Sequence, residues 1–249
     1  MTQPQPIDIT TLDGCVLRGH LWPGGHDWVV LVHDVGPDDD LDDWHPLLPG
    51  LKALDVSMCA VDLRGHGASD GEWTDTTAVS DVVTVVRFAR ANGAAVVIVI
   101  GAGVAVLPVL AAGEREPIDG VVSLSADMRA KSDGPALSNA PELGADRYLS
   151  TNGERAVISR HPIHELPRSA GIPKLFIVGA HDHSARETTS HLHRASIGWS
   201  VIVTLPSGEH GTGLLVGEWL AHIREQIAGF VRERRYLARA KTTTKGGRQ

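Results

Sequence analysis

The run AVVIVIGAGVAVLPVLAA, residues 95–112, decides the architecture. Its opening, Ala95–Ile100, is continuously apolar and mostly β-branched, without polar alternation. That pattern suits a strand buried on both faces, the environment of a parallel sheet. Gly101-Ala102-Gly103 interrupts it, and from Val104 to Ala112 the apolar residues continue with helical character. Strand, glycine turn and helix in immediate succession form half of a βαβ unit. Similar runs lie on either side: Trp28–Val32, Val56–Val61, Ile118–Leu124, Lys174–Val178 and Val201–Leu205. The stretches Thr77–Ala91, Arg186–Ala195 and Leu214–Arg232 between or after them have helical periodicity. Alternating β and α elements specify an α/β protein with helices on both faces of one sheet. Two earlier segments, Ile7–Thr10 and Val16–Trp22, form an expected antiparallel hairpin across Asp13-Gly14.

At 249 residues, 42% apolar and 21% charged, the chain can bury one sizeable core. One domain over residues 1–236 is expected, with 126–172, polar and rich in Gly and Pro, as a short cap-like insertion after the sixth strand. The net charge of −7 is uneven. Arg232–Gln249 carries seven basic side chains and one acid, a local +6, leaving −13 for the remainder. An acidic body disfavours nucleic-acid binding, which depends on neutralising phosphates. Residues 237–249 are expected to be a basic, disordered tail, the one place where RNA or an anionic surface could be touched. No apolar run is long enough to span a membrane, and the N-terminus lacks a basic and apolar leader. Cys15 and Cys59 are too few for a disulfide framework, so a cytoplasmic location is expected.

In such sheets ligands gather at the carboxyl ends of the strands. There the chain reads His33-Asp34-Val35-Gly36, Asp62-Leu63-Arg64-Gly65-His66-Gly67-Ala68-Ser69, Gly179-Ala180-His181-Asp182 and Gly208-Glu209-His210-Gly211-Thr212. In order and spacing this set resembles the α/β-hydrolase superfamily over nearly the whole chain, and in particular its small bacterial esterase- or peptidase-like members. The resemblance implies a mostly parallel eight-stranded sheet. It also implies that Asp182 is the acid and His210 the histidine of a catalytic triad. The nucleophile would sit on the turn after the central strand, G-x-S-x-G. The oxyanion-hole N–H groups would come from Val104 and from the loop of Asp34 and Val35.

Here the turn is Gly101-Ala102-Gly103-Val104-Ala105, so Gly103 stands at the nucleophile position. Glycine has no group to attack a carbonyl, and residues 81–122 contain neither Ser nor Cys. Asp34 replaces the usual glycine of the loop after the first parallel strand. A carboxylate there would oppose a developing oxyanion if it pointed inward, and would be harmless if it faced solvent. Pro108 departs from the pattern too, since it removes a helical N–H donor.

Two displaced serines compete for the nucleophile's role. Ser69 lies in a literal G-x-S-x-G, residues 67–71, but no strand runs into it and no apolar helix leaves it. Ser125 ends the strand expected beside the central one. His33, Trp44 and Ser125 are candidate pocket residues. The histidines of 181–193 lack metal-ligand spacing, as does the acidic run of 38–43, so no metal and no cofactor is expected. The expected function is a non-catalytic or severely impaired hydrolase homologue that binds a small ligand or partner. The alternative is an active hydrolase of a small ester, lactone or amide, using Asp182 and His210 with a displaced serine or an activated water.

Overall fold

A computed structural model describes residues 3–128 and 171–246. The chain forms an eight-stranded sheet in the order β1-β2-β4-β3-β5-β6-β7-β8. The hairpin partners β1 (Gln5–Thr10) and β2 (Val16–Trp22) run antiparallel, and β2 is also antiparallel to β4 (Ser57–Val61). All other pairings are parallel, through β3 (Asp27–Val32), β5 (Val96–Ala102), β6 (Gly120–Leu124), β7 (Lys174–Gly179) and β8 (Ser200–Leu205). Every residue of β3 through β7 is buried, which explains their largely apolar sequences.

Two cores flank the sheet. On one face α2 (Asp75–Ala91), α3 (Val106–Ala112) and α4 (His183–Ala195) cover Val30, Val32, Val97, Val99 and Phe176. On the other, α1 (Leu48–Lys52) and α5 (Leu220–Gly246) cover Val29, Leu31, Ile98, Ile100 and Ile177. Successive strand residues point to opposite faces, so each strand serves both cores.

The helices differ from the sequence expectation at their ends. Before α3 the chain makes a short 3-10 turn, Gly103–Ala105, because Gly103 adopts φ +53°. Pro108 thus falls in the first turn of α3, where its missing N–H would have had no helical partner. Helix α5 begins six residues later than expected. Gly211–Leu215 is a separate 3-10 turn, and Gly217 (φ +115°) lies between the two.

The expected disordered tail over 237–249 is corrected for most of its length, because α5 continues to Gly246. Arg235 and Arg239, one helical turn apart, both bond the Asp27 carboxylate, at 2.5 and 3.1 Å, and Arg235 also donates to the Leu54 carbonyl. Part of the basic charge is therefore spent on the protein's own body. The insertion expected over 126–172 lies mostly outside the described residues. Among the described residues no helix is long and apolar enough to cross a membrane.

Candidate active site

The register of the central strands builds the site. Val32 of β3 lies opposite Gly101 of β5, so Asp34 and Gly103, each two residues further on, leave the sheet side by side. Asp34 is almost fully buried, at 1% exposure, and its carboxylate turns inward. Its Oδ1 accepts the N–H groups of Val35 and Val104, each at 2.9 Å. Val104 and the loop of Asp34 and Val35 are where the resemblance would place the oxyanion-hole donors. A Cβ placed on Gly103 would fall on the Asp34 carboxylate, far inside van der Waals contact. The carboxylate of one loop thus occupies the space that a side chain at position 103 would need.

Asp182 follows β7 and caps α4, its Oδ1 accepting the Ala185 N–H at 3.2 Å. Its Oδ2 lies 2.6 Å from Nδ1 of His210, which follows β8. The other ring nitrogen, Nε2, lies 3.4 Å from Oδ2 of Asp34. His210 therefore stands between two carboxylates. Burial works against a charged ring, but the bonds and charges of Asp34 and Asp182 outweigh it and push His210 up to about 9. The imidazolium form can donate to both carboxylates at once, whereas a neutral ring has a single N–H.

The structure brings Asp34, Val35, Gly103, Val104, Asp182 and His210 together. The His33 and Trp44 side chains are engaged elsewhere. The His33 ring accepts the Leu63 N–H on Nε2 at 2.8 Å and bonds the Asp34 carbonyl through Nδ1, and burial lowers its pKa. A neutral His33 thus braces the loop that carries Asp34. Trp44 is fully buried in the core beneath α1 and α5. Ser125 follows β6 with φ +49°, fully buried, and its hydroxyl has no hydrogen-bond partner among the described residues. Ser69 is used elsewhere: its hydroxyl donates to the Asp62 carbonyl and accepts the Arg18 N–H.

Two contributions were missed in the sequence and a third was unsettled. Asp127 donates its N–H to the Gly103 carbonyl, and its carboxylate accepts the Ser184 hydroxyl, tying the end of β6 to α4. Thr212 donates to Asp43, whose carboxyl is raised by burial and by Asp39. The third, the inward placement of Asp34, was left open in the sequence between an inward and a solvent-facing carboxylate. Its signal was present as two departures from one pattern, a side chain gained at 34 and one lost at 103. Among the described residues no group of three His, Cys, Asp or Glu side chains is placed to hold a metal.

No family model matches the sequence, and no curated protein matches it either. Solved structures match its fold closely. An esterase of Pyrococcus furiosus aligns at a TM-score of 0.69 and 15% identity, covering 93% of this chain and 91% of its own. Est1E of Butyrivibrio proteoclasticus, bound to ferulic acid, aligns at 0.72 and 18%, covering 92% and 98%. The esterase domain of a Rhodothermus marinus protein gives 0.67 and 16%, covering 93% and 98%. The chain has the α/β-hydrolase fold, and it aligns with these neighbours over almost their full lengths.

Proposed function

We propose that this α/β-hydrolase-fold protein is severely impaired as a hydrolase of esters and amides, and that its partly buried acid–histidine–acid array serves a small ligand. One observation carries this reading. The Asp34 carboxylate accepts the two N–H groups that would stabilise a carbonyl substrate's oxyanion, and it fills the space beside Gly103. An ester bound there would meet a negative charge where its own negative charge must develop. Loss of a serine nucleophile by itself lowers turnover by about 10⁶. The charged form of His210 is also a poor general base.

The test is a panel of short-chain chromogenic esters, assayed with wild type, Gly103→Ser and the double variant Asp34→Gly/Gly103→Ser. Wild type is expected to be silent. So is the single variant, because the new side chain collides with Asp34. The double variant is expected to turn over, since it clears the hole and supplies a hydroxyl near His210. Wild-type turnover that His210→Ala abolishes would sink the reading.

A second reading, hydrolysis through a displaced serine, has one supporting observation in Ser125, whose backbone is strained and whose hydroxyl has no partner among the described residues. A fluorophosphonate probe that labels Ser125 would favour it.

A further inference from the structure

We propose that this protein pairs with a second copy of itself along β8, the two edge strands running antiparallel about a twofold axis at Ile202. The inference uses no residue of the candidate active site and stands apart from the reading above. The edges of the sheet formed by the described residues are β1 and β8. An edge strand presents a row of backbone N–H and C=O groups that another strand can take up, and proteins blunt such edges with charges and proline. On β1 the Thr11 N–H donates to the Cys15 carbonyl, continuing the β1–β2 register. Backbone direction alternates along a strand, so Pro6, Asp8 and Thr10 turn their backbone groups outward. Pro6 has no N–H to offer, and pairing β1 with its own copy about Asp8 would set two carboxylates side by side. That edge is blocked.

Neither device is present on β8. Its sequence, SVIVTL, carries no charge and no proline. The Trp199 and Leu205 carbonyls accept the N–H groups of Lys174 and Ala180, at 3.0 and 2.7 Å, and so turn toward β7. The alternate residues Ser200, Ile202 and Thr204 therefore turn their N–H and C=O groups to the open edge. Their positions are symmetric about Ile202. A twofold axis there sets Ile202 against the partner's Ile202 and Ser200 against the partner's Thr204, so every outward N–H and C=O of both strands is paired. Pro206, without an N–H, ends the ladder where the strand itself ends. Val201 falls opposite the partner's Val203, a β-branched pair, and no like charges meet. The flank is apolar too. Ile197, Trp199 and Val201 are all exposed, at 57%, 42% and 38%. Trp199 stacks on Phe230 and lies under the Arg234 guanidinium, 5.4 Å from the ring centre. An aromatic side chain already held in this way loses little freedom when a partner covers it.

Sedimentation of the full chain is expected to give twice the monomer mass of 26.5 kDa. At about 100 µM protein a pair with a Kd of about 10 µM would be mostly associated, so a monomer at that concentration overturns the proposal. Two variants probe the edge itself. Val201→Lys puts a charge on it, and Thr204→Pro removes an N–H that β7 does not use. Each is expected to weaken the dimer by about 10-fold or more. Thermal melts followed by circular dichroism check that both variants fold, and should one not fold, the other decides. A dimer that both variants leave unchanged uses a different surface and sinks the idea. Species larger than a dimer do the same, because pairing about a twofold closes at two copies. The register has its own test. A mixture of Val201→Cys and Val203→Cys chains is expected to form a disulfide between the two introduced thiols under mild oxidation, identified by mass spectrometry. A dimer without that link contradicts the pairing about Ile202. Finally, slow hydrogen exchange of the Ile202 N–H in a monomer would mean that another segment of the same chain covers the edge, which also overturns the proposal.

Discussion

Two aspartates of this protein use one structural device to different ends. Asp34 follows β3 and Asp62 follows β4, and both are almost fully buried. Each carboxylate accepts two backbone N–H groups, and each fills the space beneath a glycine of positive φ, Gly103 at +53° and Gly67 at +48°. The difference is in the oxygens. Asp62 gives Oδ1 to the Leu41 N–H and Oδ2 to the Ala68 N–H, so it clamps two loops. Asp34 takes both N–H groups on Oδ1 and turns Oδ2 toward a histidine. A buried carboxylate thus clamps loops or engages a neighbouring histidine according to what its second oxygen meets, and neither burial nor the glycine opposite it tells the two apart.

This contrast can be broken by experiment. The largest effect is expected at the clamp. Asp62→Ala removes two charge-assisted bonds and leaves Leu41 and Ala68 N–H groups without acceptors, a loss of about 3–5 kcal/mol. Urea unfolding would measure it, and a loss below about 1 kcal/mol would mean that Asp62 is not the clamp described. Gly103→Ala comes next, at about 2–4 kcal/mol, from the left-handed backbone and the collision with Asp34. A double-mutant cycle with Asp34→Gly should show the two changes coupled by about 1–3 kcal/mol, because Asp34→Gly removes the obstacle. Additive effects would contradict the packing of Asp34 against Gly103.

The smallest effect separates the two aspartates most sharply. His210 is raised to about 9, above the ordinary histidine value of 6.5. Its charged form therefore stabilises the fold fully below about pH 6.5, and that contribution disappears as pH rises through about 9. About 2–3 kcal/mol should be lost across this window. In Asp34→Asn the His210 titration should move to lower pH and the loss should shrink. Asp62→Asn should leave the titration in place. An NMR titration of the His210 ring, alongside melts at each pH, checks both. An unchanged His210 in Asp34→Asn would remove Asp34 from the array.

Much of this was legible in the chain. The β-branched runs identify the central strands because a strand covered on both faces has no polar side to display. The residues after those runs locate Asp182 and His210, because strand ends converge at one edge of a parallel sheet. Helix ends were less legible. The long α5 depends on Arg235 and Arg239 finding Asp27, more than two hundred residues away, and no local pattern encodes such a partner.

The amino-acid sequence by itself determined the α/β architecture, the absence of a side chain at position 103 and the presence of a carboxylate at position 34. Each follows from residue type and periodicity along one strand or turn. Only the tertiary structure decided that these two departures are one feature. Asp34 and Gly103 are neighbours through the β3–β5 register, and whether a carboxylate there faces solvent or enters the hole depends on the donors beside it. The N–H groups of Val35 and Val104 and the ring of His210 favour the inward rotamer, and the missing Cβ of Gly103 permits it. The chain order holds the parts, but the chemistry belongs to a juxtaposition that exists only once the sheet has formed.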